Sequence, residues 1–513
     1  MEDLIRKLLG NHLDIRVFYG ATLLVLPFIL VGGLFPDLLA AVSNKVLAYL
    51  TQSWSWLYLG SVSFFALVCL VIAISPFGKV RLGRDDEVPE HSRISWFSML
   101  FSAGMGIGLV FWAIAEPIYH FTGPPMGTGN SAESARMAFE IFFFHWGIHA
   151  WGTYVAVGLP LAYFQFRRGK PGVISQCIAP LFGGSDAMGG KAGTLVDILA
   201  VWATVMGVVT SLGLGALQIT SGLAHSAGIP GTTLSTTIII SVITVMFIAS
   251  ALSGVKRGIK FLSLLNVTLM LVMLGFFALY GPFGYLVRTF LLGFGDYLRE
   301  LLPLSTSFTL FDNLAWTRSW TVFYWAWWIA WAPFVGAFIA TISRGRTIRE
   351  FVLVVMILPV IFSFIFASFL GGTAIHLELF QGIAIGEIVS QSVEVALFET
   401  LKHLPFYGVL AFLANVLIAS FFITSADSAT YVITRFSTGG RGAENGKIRR
   451  RLIIFWGVLL GGLAVVLIYS GGLKALQTAS IVGAFPFIFV MYMLLASTIK
   501  DLFKHNKPIK KNN

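Results

Sequence analysis

Residues Trp316 to Trp331 read WTRSWTVFYWAWWIAW, and this stretch holds six of the fourteen tryptophans in the chain. Helical periodicity places five of its aromatic side chains on one broad face, namely Trp320, Tyr324, Trp327, Trp328 and Trp331. Tryptophan in membrane helices usually gathers at the water interface, where its N–H stays hydrated. This run instead extends inward by several turns, so the sequence predicts an aromatic wall at membrane depth.

The aromatic wall has two interpretations. Packing and interface anchoring explain the run most simply when it is taken alone. The alternative is a binding surface for a cation without N–H donors, such as a quaternary ammonium, which aromatic rings attract through their negative faces. A second aromatic surface opposite the first would favour the binding interpretation.

The composition excludes a water-soluble domain. Hydrophobic residues make up 57% of the 513 residues, charged residues only 12%, and the mean hydropathy is +0.83. The sequence therefore predicts an all-α integral membrane protein with twelve transmembrane helices. The apolar segments fall near residues 17–40, 54–75, 95–119, 138–166, 194–221, 232–251, 259–285, 316–342, 349–371, 405–436, 451–471 and 474–500.

The basic residues predict how the chain is oriented in the membrane. If the N-terminus is cytoplasmic, 28 of the 35 lysines and arginines fall in cytoplasmic loops or termini. This excess predicts that both termini are cytoplasmic. Topology and anionic lipid at the cytoplasmic face then account for the formal charge of +11, and no nucleic-acid partner is needed.

The two cysteines and the N-terminus indicate neither a disulfide framework nor a cleaved signal. Cys69 falls in a predicted span and Cys177 in a predicted cytoplasmic loop, so a disulfide framework is not expected. The opening, Met1 to Arg16, is charged and amphipathic. We therefore expect the first apolar run to be retained as a span rather than removed as a signal.

Span 3 contains an unusual glycine pattern in the segment Ser102 to Gly108, which reads SAGMGIG. Gly104, Gly106 and Gly108 alternate in mid-helix, where each costs up to about 1 kcal/mol relative to alanine. The pattern predicts an unwound segment whose free N–H groups can bind a carboxylate and whose C=O groups can bind sodium. Close helix packing is the alternative, although packing motifs space glycines by four.

Span 4 offers a candidate second aromatic wall. A continuous helix would place Trp146, Trp151 and Tyr154 within an arc of about 140°. Core packing is again the alternative. His145 and His149 in the same span are expected to be hydrogen-bonded packing groups rather than metal ligands.

Two further polar features lie inside predicted spans. Glu116, which precedes Pro117 at the end of span 3, is interpreted as a capping or loop-positioning carboxylate rather than a proton carrier. Span 10 contains Phe421 to Ser428, the densest hydroxyl cluster in any span, with Asp427 beside it. Because hydroxyls can satisfy their own helix carbonyls, the cluster is only a candidate ion site.

The span count predicts an internal repeat. Spans 3 to 7 and spans 8 to 12 each number five, so the second unit enters the membrane from the opposite side. The predicted fold is a LeuT-like five-plus-five inverted repeat preceded by two extra helices. Its divisions are 1–94 for the N-terminus and two peripheral helices, 95–285 for the first repeat, 286–315 for an outer amphipathic connector, 316–500 for the second repeat and 501–513 for a short basic tail.

Together these features resemble the betaine/carnitine/choline transporter family of secondary carriers, over nearly the whole chain. The resemblance rests on Gly104 to Gly108, Trp320 to Trp328, Ser343 to Phe351 and Ile423 to Ser428. The tryptophan motif is the most specific of the four. The resemblance implies a twelve-helix protein, usually homotrimeric, that takes up trimethylammonium compounds as osmoprotectants.

The resemblance also implies which residues bind substrate. The aromatic residues around the trimethylammonium group would be Trp146, Trp151, Tyr154 and Trp328, with Trp327 and Trp331 nearby along the transit path. The substrate carboxylate would meet the glycine segment at Gly104, Gly106 and Gly108.

A sodium site is implied in the same way. Its ligands would be the backbone carbonyls of Ser102, Met105 and Phe421 and the hydroxyls of Thr424 and Ser425. An all-oxygen shell of this kind suits a hard cation.

A few positions bear on ion coupling within the family. Gly108 stands where proton-coupled choline carriers tend to have Asp, and Val267 stands where sodium-independent exchangers have Arg. Both imply the sodium-coupled betaine type. Thr204 and Phe334 match the family's second sodium site, but Val208 stands where a ligating Thr is expected, so that site is incomplete.

The sequence thus predicts a sodium-coupled symporter for glycine betaine in a bacterial or archaeal plasma membrane, with sodium co-transported and no organic cofactor. Proton-coupled or exchange transport of choline, carnitine or a sulfonium analogue is the close alternative. A receptor or ligand-gated channel for quaternary ammonium would need a continuous polar stripe along several spans. A membrane enzyme would need paired catalytic groups or metal-ligand spacing inside the spans. The sequence pattern favours neither.

Overall fold

The computed structural model describes residues 13–104, 106–184, 188, 190–253, 258–307, 314–440 and 446–505. These residues fold almost entirely into α-helices, and the only strand-like pairing among them is an isolated antiparallel bridge between Arg81 and Thr347. The predicted all-α class is therefore confirmed for the described part of the chain.

Nineteen α-helices follow one another along the described residues. They are α1 Ile15–Leu34, α2 Pro36–Ser53, α3 Ser55–Ile74, α4 Arg93–Gly104, α5 Ile107–Thr122, α6 Ala132–Trp146, α7 Ile148–Ala162, α8 Ile174–Ile178, α9 Lys191–Ala227, α10 Thr233–Ser253, α11 Gly258–Tyr280, α12 Phe283–Thr306, α13 Leu314–Ser319, α14 Thr321–Ile342, α15 Ile348–Gln381, α16 Ile385–Gln391, α17 Ala396–Leu401, α18 Tyr407–Ser437 and α19 Gly446–His505.

Nine helical segments within the described residues are long and apolar enough to cross a membrane. Predicted spans 3 and 4 are not among them, because each is divided into two shorter helices, α4 with α5 and α6 with α7. Predicted spans 11 and 12 together form the long helix α19. That helix is interrupted by non-helical backbone at Gly471 and Gly472, and the φ of +58° at Gly472 is one that L side chains rarely adopt.

The interruption predicted in span 3 is confirmed. Helix α4 ends at Gly104, Gly106 is extended with φ −104° and ψ −159°, and α5 begins at Ile107. Met105 lies outside the described residues. The interruption leaves backbone polar groups without helical partners in the interior of the protein, which is the arrangement expected beside a binding site.

The prediction of one continuous helix in span 4 is wrong. The helix breaks at Gly147, between Trp146 and the next aromatic residues. A Cβ at Gly147 would lie 2.5 Å from the hydroxyl oxygen of Tyr297, so only glycine allows this approach. The N–H of Ile148, freed by the break, donates instead to the Tyr297 hydroxyl at 3.1 Å. A long-range contact therefore stabilises a break that helical periodicity does not reveal.

Two connecting helices differ from the predicted boundaries. Helix α1 ends at Leu34 rather than near residue 40, and Pro36 begins a separate helix, α2, that was not predicted. Proline fits there because the first turn of a helix needs no hydrogen bond from its N–H. In the region of the predicted amphipathic connector, 286–315, the described residues form α12, which begins before residue 286, at Phe283, and ends at Thr306.

The loops after α3 and before α15 pack together at one end of the bundle. The N–H of Leu82 donates to the carbonyl of Arg346, and the N–H of Gly345 donates to the carbonyl of Leu82, both at 2.8 Å. The guanidinium of Arg346 lies 4.5 Å from the ring centroid of Trp96. Because these loops carry arginines predicted to be cytoplasmic, we call this end of the bundle the basic face.

Helices α7 and α14, which carry most of the predicted aromatic site, pack with their backbones in contact. A Cβ at Gly336 would lie 2.9 Å from the backbone nitrogen of Gly158 and 2.9 Å from the Cβ of Val157. Small residues at such crossings allow membrane helices to approach closely. This contact fixes the spacing between the two aromatic helices.

Substituting Gly336→Val should therefore destabilise the protein by about 1–3 kcal/mol, because the added methyl groups overfill the crossing. The measurement is the midpoint of thermal unfolding in detergent. Gly462→Val is the matched control, since nothing lies within 4 Å of a Cβ at Gly462. Equal loss of stability in the two variants would contradict the proposed importance of the crossing.

Candidate functional site

The aromatic run is buried inside the protein rather than covered by lipid. Within α14, Tyr324, Trp325, Trp327, Trp328 and Trp331 are all exposed by 4% or less. The helix predicted across the run is distorted at Trp320, which has φ −110° and ψ −72°, but helical hydrogen bonds continue across it, from Trp320 N–H to the Trp316 carbonyl and from Tyr324 N–H to the Trp320 carbonyl, both at 2.9 Å. The interior position removes interface anchoring as the explanation for the five buried aromatic residues.

Four of the predicted aromatic residues form one cluster. The ring centroids of Trp146 and Trp328 are 4.9 Å apart with the planes at 75°. The rings of Tyr154 and Trp328 are 6.1 Å apart at 85°, and those of Trp151 and Tyr154 are 5.5 Å apart at 87°. The two aromatic walls therefore meet. The prediction of the second wall assumed that span 4 is one unbroken helix, and the walls meet even though that helix is broken. We call these four residues the aromatic box.

The two neighbouring tryptophans extend the box along α14. Trp327 stacks on Trp328 with centroids 5.1 Å apart and an interplanar angle of 12°. Trp331 lies 6.3 Å from Trp327 in an edge contact. The structure thus places Trp327 and Trp331 next to the box, as the resemblance implied.

The glycines of the interrupted span lie against these rings. A Cβ at Gly104 would collide with the Trp151 ring, and one at Gly108 would lie 2.5 Å from Cη2 of Trp327. A Cβ at Gly106 would lie 3.1 Å from the Trp331 ring. The glycines are therefore needed for the close approach of the aromatic residues as well as for the helix interruption.

The indole N–H groups are hydrogen-bonded to the protein. Trp327 Nε1 donates to Ser211 Oγ at 3.1 Å, and Trp331 Nε1 donates to the carbonyl of Gly207 at 2.8 Å. Trp328 Nε1 donates to the carbonyl of His145 at 3.0 Å. Because these donors are already used, the rings can offer a ligand only their faces and edges.

Glu116 is the centre of a fully buried hydrogen-bond network behind the box. Its Oε2 accepts from Trp146 Nε1 at 2.9 Å and from the Tyr324 hydroxyl at 2.5 Å. Its Oε1 lies 2.6 Å from His145 Nδ1 and 3.3 Å from His120 Nε2. Glu116 therefore orients a box residue directly, and the sequence-based interpretation of a cap or loop-positioning group was wrong.

The same network includes a set of atoms that could hold a metal ion. Ligating atoms of Glu116, His120 and His145 all lie within 4.8 Å of one another. However, Oε2 of Glu116 already accepts two hydrogen bonds, and His145 Nε2 lies 2.9 Å from the Thr321 hydroxyl. The partners present make a hydrogen-bond network the better description, in line with the packing role expected for His145.

The structure brings one predicted sodium ligand to the glycine segment. Ser425 Oγ is buried without a hydrogen-bond partner among the described residues, and it lies 3.3 Å from the position of a Cβ at Gly106. An unpartnered buried hydroxyl is costly unless a ligand or ion satisfies it. Ser425 is therefore the described residue that points most directly to an ion.

Of the other predicted sodium ligands, the structure describes Thr424 and Phe421 but not Met105 or the side chain of Ser102. Thr424 Oγ1 donates to the carbonyl of Ser420 at 2.7 Å and accepts from Asn266 Nδ2 at 3.1 Å. Phe421 is fully buried on the same helix, α18. Met105 lies outside the described residues, as does the side chain of Ser102.

At the incomplete second sodium site, the described residues do not form a cluster of oxygen ligands. Thr204 Oγ1 donates to the carbonyl of Ala200 in its own helix at 2.8 Å. The ring of Phe334 lies 5.6 Å from that of Trp331, and Val208 is fully buried between helices. The described contacts of Thr204 and Phe334 are those of helix packing.

Sequence reasoning missed the acceptors that orient the rings. From sequence, the small residues of span 5, Gly207 and Ser211 among them, are most simply explained by tight packing, and Glu116 is interpreted as a capping or loop-positioning carboxylate. Buried tryptophan predicts that an acceptor exists, but the sequence contains far more candidate acceptors than indoles. Only the packing of α5, α6 and α9 against α14 selects among them.

The chain was compared with known proteins. Residues 16–507 match the family model described as BCCT, betaine/carnitine/choline family transporter. The chain is 44% identical to a probable glycine betaine transporter of Desulfitobacterium hafniense over 489 residues, which cover 95% of this chain and 97% of the relative.

Two further relatives are similar over their full lengths. A glycine betaine transporter of Bacillus subtilis, OpuD, is 43% identical over 96% of both chains. An ectoine/hydroxyectoine transporter of Virgibacillus pantothenticus is 40% identical over 97% of this chain and 98% of the relative. The relatives thus share almost the whole length of this chain.

Substituting Glu116→Ala should destabilise the protein, because Trp146, Tyr324 and His145 would lose a common buried partner. Each buried donor left unsatisfied costs about 1–3 kcal/mol. Glu116→Gln keeps one acceptor oxygen and should lose less. Thermal unfolding in detergent, followed by near-ultraviolet circular dichroism of the tryptophans, measures the difference. Wild-type stability in Glu116→Ala would show that the network does not hold the box.

Proposed function

Because the chain belongs to the betaine/carnitine/choline family of transporters, we propose that it takes up glycine betaine together with sodium by alternating access. The aromatic box would hold the trimethylammonium group, and the glycine segment would meet the carboxylate. Sodium would bind beside that segment and move with the substrate. Neither solute is changed chemically.

The observation that carries this proposal is the buried box itself. Four aromatic rings from α6, α7 and α14 converge, and the N–H groups of Trp146 and Trp328 are bound to the protein. A trimethylammonium group needs no hydrogen bonds and is attracted to ring faces, with about 2 kcal/mol or more for a desolvated ring. A neutral or hydrogen-bonding head group would gain less from these surfaces.

Two buried hydroxyls without hydrogen-bond partners support binding of the substrate carboxylate and of sodium. The hydroxyl of Tyr154, in the box, and that of Ser425, beside Gly106, are both buried without a hydrogen-bond partner among the described residues. A carboxylate or a sodium ion would satisfy such groups. Sodium coupling is proposed because the unpartnered Ser425 hydroxyl adjoins the interrupted backbone at Gly106.

Transport requires the box to open. The rings of Trp146 and Trp328 touch, with centroids 4.9 Å apart, so a trimethylammonium group fits between them only after they separate. Interruptions in the helices that carry the site, at Gly106 and Gly147, allow parts of those helices to move separately. The box can thus close around a substrate and open to release it.

The proposed architecture retains twelve crossings in a five-plus-five inverted repeat after two extra helices. Counting each interrupted pair, α4 with α5 and α6 with α7, as one span supports this number, as does dividing α19 at Gly471 and Gly472. The first helix of each proposed repeat departs from regular helix geometry, with an interruption at Gly106 and a distortion at Trp320. A homotrimer in the plasma membrane with cytoplasmic termini completes the proposal.

Another compatible solute is the second candidate. A relative that is 40% identical is an ectoine/hydroxyectoine transporter, and ectoines lack a trimethylammonium group. Choline, carnitine or a sulfonium analogue, carried by proton coupling or exchange, are alternatives of the same kind. Competition by each solute against labelled glycine betaine, with and without sodium, would separate these substrates.

Substituting Trp328→Leu should raise the apparent KM for glycine betaine by roughly thirtyfold, since one desolvated ring contributes about 2 kcal/mol. The measurement is uptake of labelled betaine into proteoliposomes. Trp56→Leu is the control, because Trp56 is 56% exposed and far from the box in sequence. A wild-type KM in Trp328→Leu would refute the role of the box.

Substituting Ser425→Ala should raise the sodium concentration needed for half-maximal uptake by on the order of tenfold, because one oxygen ligand is lost. Thr430→Val is the control on the same helix, since Thr430 Oγ1 donates to the carbonyl of Ala426. Betaine accumulation that ignores the sodium gradient in the wild-type protein would overturn the coupling proposal, whatever the variants show.

A further inference from the structure

The network behind the aromatic box contains one buried carboxylate and two buried imidazoles. Glu116, His120 and His145 are each 0% exposed. Among the described residues, the ion-pair partners of Glu116 are these two histidines, and neither a lysine nor an arginine joins them. A carboxylate removed from water is costly unless a positive charge or a proton accompanies it. A proton is therefore what this network can take up to neutralise Glu116.

Of the two imidazoles, that of His145 has a partner at both ring nitrogens. Its Nδ1 lies 2.6 Å from Glu116 Oε1, and its Nε2 lies 2.9 Å from the hydroxyl oxygen of Thr321. A hydroxyl donates to a bare ring nitrogen or accepts from a protonated one, so Thr321 serves both protonation states of His145. His120 differs, because its Nδ1 is buried without a hydrogen-bond partner in the described part of the chain. A second N–H on His120 would be unsatisfied, and the proton is therefore assigned to His145.

The titratable groups that face His145 come from three helices. They are Glu116 and His120 of α5, His149 of α7 and Tyr324 of α14. His149 has the same defect as His120, since its Nδ1 is buried without a described partner. The Tyr324 hydroxyl donates to Glu116. The site that can hold a proton with every hydrogen bond made is thus the pair of Glu116 and His145, which we call the buried pair.

The buried pair lies one layer of side chains from the centre of the box. Glu116 Oε2 accepts from Trp146 Nε1 at 2.9 Å. The His145 ring stacks on Tyr324 with centroids 4.7 Å apart, and the Tyr324 ring lies 5.8 Å from that of Trp146 and 5.9 Å from that of Trp328. A charge on the pair therefore acts on a cation in the box over a short distance and through apolar surroundings, where screening is weak.

We propose that the buried pair binds a proton in competition with the cation in the aromatic box. With the proton the pair is neutral, and without it the pair carries one negative charge that attracts a trimethylammonium group. Because linkage is reciprocal, binding of the cation releases the proton to solvent. The inference rests on the proposed function for the identity of the cation, and it goes beyond that function because sodium-coupled uptake does not itself require a proton.

The affinity for glycine betaine tests the competition without relying on transport. We expect the Kd, measured by tryptophan fluorescence in detergent at fixed sodium, to fall by roughly tenfold between about pH 5.5 and about pH 8.5. The charges of glycine betaine itself do not change over this range. Equal Kd values at the two pH values would overturn the inference and leave the box intact. Absence of binding at both would overturn the box and this inference together.

His145→Gln should bind betaine with a Kd that no longer depends on pH, because a side-chain amide does not titrate. His149→Gln is the matched control, since it removes another buried imidazole four residues along the chain, and it should keep the wild-type pH dependence. Binding at pH 8.5 shows that the box of each variant is formed. A pH dependence that survives in His145→Gln, or is lost in His149→Gln, would contradict the assignment to His145.

Thr321→Val provides a second variant that keeps both members of the buried pair. It removes the acceptor for the protonated ring, so the midpoint of the pH dependence should move down by roughly one pH unit. An unmoved midpoint would overturn the role given to Thr321 and with it the protonated state proposed for His145.

Proton release provides a measurement independent of Kd. In weakly buffered solution with a pH indicator, saturating betaine should release a fraction of one proton per protein in the wild type and none in His145→Gln. Proton uptake, or no change in the wild type, would overturn the competition. Failure of sodium-coupled uptake would leave these binding results unaffected, so the two proposals fail separately.

Discussion

Hydrogen bonds from four buried indole N–H groups organise the centre of the protein. In a dry interior an unsatisfied donor costs more than a hydrogen bond contributes, so Trp146, Trp327, Trp328 and Trp331 are each held by a particular acceptor. Glu116 accepts from Trp146, and the carbonyl of His145 accepts from Trp328. These bonds fix the ring planes. The same bonds leave the faces and edges of the tryptophan rings, together with the unpartnered Tyr154 hydroxyl, as the surface that the box offers a ligand.

The fixed rings in turn require glycine on the facing helix. Gly104 and Gly108 have no room for a Cβ beside Trp151 and Trp327, so the aromatic helix and the interrupted helix are possible only together. Glycine also weakens the helix where it lies. One residue type therefore provides both the close approach to the rings and the helix interruption beside Ser425, which is why the proposed substrate and ion regions adjoin.

Charge is distributed unevenly within the protein. Arginines of the loops after α3 and before α15 lie at the basic face, whereas the carboxylate beside the aromatic box, that of Glu116, is buried in a hydrogen-bond network. The net charge of +11 describes the chain as a whole and not the surroundings of the box.

The sequence by itself determined the helical membrane class, the interruption at Gly106 and the aromatic residues of the box, because hydropathy, glycine spacing and the tryptophan motif are local patterns. Only the tertiary structure decided the break at Gly147 and the hydrogen-bond partners of Glu116. Each depends on residues distant in the chain, such as Tyr297 for Gly147. The physical reason is that periodicity reports which groups a helix must bury, whereas hydrogen-bond partners are selected by the packing of other helices.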